Sequence, residues 1–280
     1  MRKLGKPFVD AELLASKWRL QLPDYFEPSA CSSKKARTSF GPDFKLFYSE
    51  RRASKYYKRK AEQCIFDGLC RKSIKFPRHK AVANLFPFAP RHRVIYSRKH
   101  YQEMRFKDLE FALELAPNAA ESFIYATKGS GAGIPEHFHF QSFNAELPAF
   151  KASSRLFYND GFRIEKPEFP SYCLKFSGTG FARILYSLIQ ESNHSFNLAL
   201  SKDSLLYFPR SKEVPENWWK FGAAELSGFF VFRDFQKFKA AKANELYKPM
   251  KDACLGLKEQ ERTESLLESL LPEKSGLAKN

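Results

Sequence analysis

His137-Phe138-His139-Phe140-Gln141 puts two imidazoles and a carboxamide at alternate positions, and Gly129-Ser130-Gly131-Ala132-Gly133 leads into it. Alternate side chains of a strand share a face. The spacing therefore predicts a strand over 137–141 with His137, His139 and Gln141 on one side. Phe138 and Phe140 then point to the other side, where a core can bury them. One face is chemical and the other structural, the division that a site carried on a sheet needs.

Upstream of this strand, 81–86 and 92–96 read as strands around a turn containing Pro87 and Pro90. Leu109, Ala112 and Leu113 have helical spacing and predict a helix over 106–116 that stops at Pro117, followed by a strand at 123–126. Downstream, 144–170 reads as a loop and 172–176 as a strand. Phe181, Ile184, Leu185, Leu188 and Ile189 form one helical face. Strands are expected at 195–200, 205–208 and 224–232, and a helix at 263–271 with Leu266, Leu267, Leu270 and Leu271 on one side. No sequence repeat is evident. Hairpin-like strand pairs alternating with isolated helices predict an α+β chain with a mainly antiparallel sheet.

With 280 residues, a 43% hydrophobic fraction and 29 phenylalanines, the chain can build a substantial core. It contains no apolar run of membrane-spanning length and no signal-peptide pattern, so the expected location is the cytoplasm. Five scattered cysteines fit a reducing compartment, and the Cys64–Cys70 spacing is too wide for a zinc knuckle. The net charge of +16 is one-sided. Residues 1–100 hold 24 Lys or Arg against 8 Asp or Glu, and the rest balances at 23 against 23. Such a field suits an anionic partner, whether nucleotide, nucleic acid or acidic surface; it equally suits a merely solvated basic face.

Taken by themselves, paired histidines on one strand face fit metal ligands, a nucleophile with its support, or hydrogen-bonded core residues. The adjoining glycines favour the nucleophile, because glycine lets backbone N–H groups approach an anion closely. Gly131 to Gln141 resembles the active-site strand of the histidine-triad superfamily. The match is to its His-x-His-x-Gln branch, which holds galactose-1-phosphate uridylyltransferase, diadenosine tetraphosphate phosphorylase and the GDP-hexose phosphorylases. Residues 84–92 with 98–102, 196–213 and 221–232 resemble further segments of these proteins, in the same order.

The resemblance implies a histidine-triad-like α+β fold made of two fused half-domains, with a mainly antiparallel sheet and helices packed on it. It implies a nucleotidyltransferase or phosphorylase that cleaves a phosphoanhydride of a nucleoside diphosphate sugar or dinucleoside polyphosphate. His139 would be the nucleophile, Gln141 a donor to the phosphate, and His137 the support. Ser130, Gly131 and Gly133 would hold phosphate oxygens. Asn84 would contact the ribose or fix its loop, and Arg210 and Lys212 would meet the departing or accepting phosphate. Inorganic phosphate or a sugar phosphate would be the acceptor, and a homodimer is compatible with this. The zinc that the uridylyltransferase branch often binds needs a Cys-x-x-Cys that this sequence lacks, so neither metal nor cofactor is expected.

The expected organisation is a basic arm at 1–60, the nucleotidyltransferase domain at 61–257, and a C-terminal helix and tail at 258–280. The competing function is nucleic-acid binding through residues 1–80, where Tyr56-Tyr57 between basic residues offers a stacking surface.

Overall fold

A computed structural model describes residues 31–39, 41–49, 66, 72–119 and 121–272. Most of the expected basic arm, including Tyr56-Tyr57, and the Cys64 and Cys70 pair lie outside the described residues. The described part of the arm folds into two strands, β1 (Cys31–Ala36) and β2 (Phe44–Ser49). Ten strands follow as one sheet: β3 (Ser73–Lys75), β4 (His79–Ala83), β5 (Arg93–Ser97), β6 (Ser122–Ala126), β7 (His139–Phe143), β8 (Ser154–Asp160), β9 (Phe162–Pro167), β10 (Leu174–Gly178), β11 (Phe196–Leu200) and β12 (Ser204–Pro209). A last strand, β13 (Phe229–Phe232), pairs in parallel with β2 to complete a second, three-stranded sheet.

The large sheet runs β3-β4-β5-β7-β6-β11-β12-β10-β9-β8, and all its pairings are antiparallel. Its order hides a duplication. Strands β3-β4-β5-β7-β6 and β8-β9-β10-β12-β11 have the same topology, each with one helix between its third and fourth strands. These helices are α1 (Phe106–Ala119) and α2 (Ala182–Ser192). The two halves join where β6 meets β11, with Tyr125 opposite Leu198. The expected pair of half-domains is thus present as a repeat of architecture without a repeat of sequence. A fold constrains which positions are apolar far more than which apolar residue fills them.

Both faces of the sheet are covered. Phe138, Phe140, Phe123, Tyr125, Leu198, Leu200, Leu205 and Tyr207 face α1 and α2. That core is closed by Leu267 of the terminal helix α6 (Leu257–Leu270). On the other face, Phe143, Ile124, Ala199, Leu206 and Phe208 pack under the three-stranded sheet. They also meet the helices α3 (Ala223–Leu226), α4 (Phe235–Ala240) and α5 (Ala243–Ala253). Among the described residues no helix is long and apolar enough to cross a membrane.

Several expected boundaries move. The loop expected at 144–170 contains the β8–β9 hairpin, whose turn uses Gly161 in the left-handed region (φ 71°). β8 is the edge strand of the sheet, and its exposed Arg155, Asn159 and Asp160 give no apolar alternation to read. Helix α1 continues past Pro117 to Ala119, because a proline in the last turn forfeits little of the hydrogen-bond ladder, and Asn118 Nδ2 caps the Glu114 carbonyl at 2.9 Å. The strand expected at 224–232 divides into α3 and β13, since the Glu225 carboxylate accepts the Gly222 N–H at 3.0 Å and starts a helical turn.

Candidate functional site

Strand β7 begins at His139, two residues later than expected. His137 sits in the bend just before it, yet the division of faces holds. Phe138 and Phe140 are buried in the α1 core, and His139 and Gln141 lie on the opposite face. Each histidine is fixed by a carbonyl. His137 Nε2 donates to Ser97 O at 2.8 Å, and His139 Nδ1 donates to His137 O at 2.9 Å. The second bond fixes the tautomer: with its proton on Nδ1, His139 carries its lone pair on Nε2.

The loop beneath the histidines is braced from behind. The Tyr101 hydroxyl donates to Asp108 Oδ1 at 2.8 Å, His79 Nε2 lies 3.0 Å from the same oxygen, and the Arg105 N–H donates to Oδ2 at 2.9 Å. Burial pushes the Asp108 carboxyl upward, but these three hydrogen bonds outweigh it and hold the group below the ordinary carboxylate range. The Tyr101 carbonyl in turn accepts the Phe138 N–H at 2.6 Å. The main chain between the two catalytic candidates is therefore tied to a buried polar cluster on the far face.

His92 has no role in the sequence reading, and the structure makes it the partner of Gln141. Its Nδ1 accepts the Phe88 N–H at 3.3 Å, which leaves the ring proton on Nε2. Two groups approach that nitrogen, Gln141 Oε1 at 2.7 Å and Asn84 Nδ2 at 3.0 Å. Asn84 Nδ2 is itself a donor and cannot accept that proton, so Gln141 Oε1 is the bonded group, and its carboxamide keeps its N–H groups for another acceptor. Asn84 holds its own loop, since its Oδ1 accepts the Phe86 N–H at 2.9 Å. Phe66 is also added by the structure. It stacks on Tyr96 with 4.4 Å between centroids and lies 4.9 Å from His137 and 5.7 Å from His139.

The structure therefore brings His137, His139, Gln141 and Asn84 together, and gives other expected residues a different task. Ser130 is fully buried, and its hydroxyl donates to Phe196 O at 2.7 Å. Arg210 is likewise buried with every nitrogen engaged. Its Nε donates to Ala253 O at 2.9 Å, Nη1 to Phe221 O at 2.8 Å, and Nη2 to Lys212 O at 2.6 Å. It also bonds the Asn197 carboxamide oxygen. The expected phosphate contact of Arg210 is replaced by a structural one, because burial commits its donors to main-chain carbonyls. Lys212 is exposed, and only its main chain is tied into this hub.

The glycine turn belongs to the same hub. Asn197 Nδ2 and Arg210 Nη1 both donate to Ser130 O, at 2.9 and 3.2 Å. The Gly131 N–H points to Glu213 Oε1 at 3.3 Å. Gly131 has φ 91°, and a Cβ there would lie 2.4 Å from Phe221 O, so the close approach requires glycine. A Cβ on Gly133 would meet nothing within 4 Å. Asn197 faces Ala126, and the β6–β7 register continues Ala126 opposite His139. The hub is thus two strands from His139 on the same face, roughly 10 Å away.

A family described as a domain of unknown function (DUF4922) matches residues 61–144, the segment that holds Asn84, His92 and the histidine strand. No curated protein matches the chain. Among solved structures it is similar to yeast Ap4A phosphorylase Apa2 in complex with Ap4A. The TM-score is 0.62 at 13% identity, over 88% of this chain and 97% of that one. The same yeast enzyme without the Ap4A gives a TM-score of 0.62 at 14% identity, over 90% and 98%. The chain has the fold of that phosphorylase, in agreement with the histidine-triad-like α+β fold implied by the sequence.

Proposed function

We propose that the protein is a nucleotidyltransferase of the phosphorylase type. It would cleave a phosphoanhydride of a dinucleoside polyphosphate or nucleoside diphosphate sugar through a nucleotidyl-histidine on His139. The observation that carries this reading is the His139 Nδ1–H bond to the His137 carbonyl, which leaves Nε2 nucleophilic on the same strand face as Gln141. The solved relative of the same fold bears the name Ap4A phosphorylase, and its complexes contain Ap4A and AMP.

Nε2 attacks the α-phosphorus, forming a P–N bond as the P–O anhydride bond breaks, and the electron pair leaves with the bridging oxygen. The ring becomes cationic, and the charge is shared with the Nδ1–H bonded to the His137 carbonyl. Gln141 N–H donates to a non-bridging oxygen, a bond that strengthens as negative charge develops there. An oxygen of inorganic phosphate or a sugar phosphate then attacks the same phosphorus. The P–N bond breaks, and its electron pair returns to Nε2. Splitting one displacement into two is the benefit of covalent catalysis. Asn84 and the exposed Gly133 would position the nucleotide.

Incubation with α-labelled dinucleoside polyphosphates and GDP-hexoses should leave an acid-labile label on the protein. His139→Ala should abolish it. Label that survives this substitution would remove His139 from the mechanism.

A further inference from the structure

The strand register aligns the site with a pair of lysines. Lys75 of β3 lies opposite Lys80 of β4, Lys80 opposite Tyr96 of β5, and Tyr96 opposite His139 of β7. Directly opposed residues in an antiparallel sheet share a face, so these four side chains form one row across four strands. The alternate residues of the same strands confirm the assignment: Ile74, Ala81 and Ile95 belong to the α1 core on the far side. At about 5 Å per strand the row places Lys80 roughly 10 Å and Lys75 roughly 15 Å from His139.

Like charges directly opposite on one face are destabilising. Among the described residues no carboxylate pairs with Lys75 or Lys80, which are exposed and half-buried respectively. The surroundings add to the imbalance. From Lys72 to Gln102 the sequence has eight Lys or Arg and no Asp or Glu, and Arg98, Lys99 and His100 are exposed near His137. By contrast the corresponding strands of the second half mix both signs, with Arg163 and Lys175 both paired to Glu165. A lysine pair in register with the nucleophile, with no carboxylate partner among the described residues, is what a ligand with negative charge at both ends of Tyr96 would complement.

We propose that Lys75 and Lys80 form a polyphosphate track that runs from His139 to the β3 edge. The ligand is a linear run of phosphates whose inner end lies at His139 and whose outer end meets the two ammonium groups. Phe66, stacked on Tyr96, is the apolar spacer between the two ends. This prefers a leaving group that continues as a phosphate chain over one that ends in a neutral sugar. The link to catalysis rests on His139 being the nucleophile; capture of phosphates by the lysines does not.

The test is calorimetric titration of the full chain with inorganic tripolyphosphate and with orthophosphate. Lys75→Ala and Lys80→Ala should each weaken tripolyphosphate binding by about tenfold, the loss of one charge-assisted contact. Lys80→Arg should retain it, and Lys202→Ala, in the β11–β12 turn of the other half, should leave it unchanged. Four outcomes overturn the track. They are no tripolyphosphate binding, equal affinity in Lys80→Ala, an equal loss in Lys202→Ala, and an oligonucleotide displacing tripolyphosphate at lower concentration. Nucleotidyl labelling of the wild-type chain separates the two ideas. Lysine-dependent binding without any nucleotidyl label leaves the track standing and removes the proposed reaction, and label without lysine dependence does the reverse.

Discussion

His92 Nε2 lies 2.7 Å from Gln141 Oε1, so the orientation of the candidate hydrogen-bond donor to phosphate is set by a buried histidine immediately before the neighbouring strand, 49 residues away. If Gln141 acts in the transition state, losing that bond misaims it. His92→Phe is expected to lower kcat by about 10- to 100-fold with KM within about threefold, as misplacement of a catalytic group does. Steady-state kinetics with a dinucleoside polyphosphate measures both terms, and a normal kcat would show that Gln141 needs no such brace.

Arg210 is a structural keystone whose three nitrogens meet carbonyls of Ala253, Phe221 and Lys212. Arg210→Met removes those bonds and leaves several buried carbonyls unpaired. The expected cost is about 3–5 kcal/mol, or roughly 10 °C in melting temperature. Thermal unfolding checks this. A variant as stable as the wild type, with only phosphate affinity lost, would restore Arg210 to the substrate.

The two glycines of the approach should behave differently. Gly131→Ala forces a Cβ against Phe221 O at positive φ and should destabilise by about 3 kcal/mol or more. Gly133→Ala meets nothing and should stay within about 0.5 kcal/mol. Denaturant midpoints of the two variants decide it; equal midpoints would contradict the packing of Gly131 on Phe221.

Asp108 links His79, Tyr101 and the Arg105 N–H, and its carboxyl is held below its ordinary value. A depressed carboxyl contributes stability that is present above its unfolded pKa, near 3.9, and lost as pH falls through the folded value. Asp108→Asn should therefore lose about 3 kcal/mol at pH 7 and converge on the wild type in strong acid. Unfolding curves from pH 7 down to pH 2 test the convergence; a constant difference would mean that the group is not ionised in the folded state.

Burial raises the Cys254 thiol to about 11 and pushes the Cys173 thiol well above its ordinary value. Neither should react with iodoacetamide in the native protein at pH 8, because the thiolate is the nucleophile. Peptide mapping after alkylation gives the answer, and modification of either residue without denaturant would show that its core opens.

The sheet and helix class was legible where burial leaves a period. Phe138 and Phe140 alternate with His139 and Gln141 because one face of β7 is core, and the α2 residues Leu185, Leu188 and Ile189 repeat at helical spacing for the same reason. The β8–β9 hairpin was not legible, since an edge strand such as β8 exposes Arg155, Leu156, Asn159 and Asp160 without alternation. Helices α4 and α5 were missed as well. One is a short lysine-bearing turn started by Asp234, and the other carries Pro249 in its interior.

Residue spacing alone reveals the chemistry of one strand: two imidazoles and a carboxamide on one face, and phenylalanines on the other. Spacing along a chain fixes which side chains share a face. What those groups touch depends on which strands pair and in what register, and that is settled when their apolar faces are buried together. Tertiary packing gave Gln141 its partner in His92, put His139 in line with Tyr96, Lys80 and Lys75, and committed Ser130 and Arg210 to buried carbonyls.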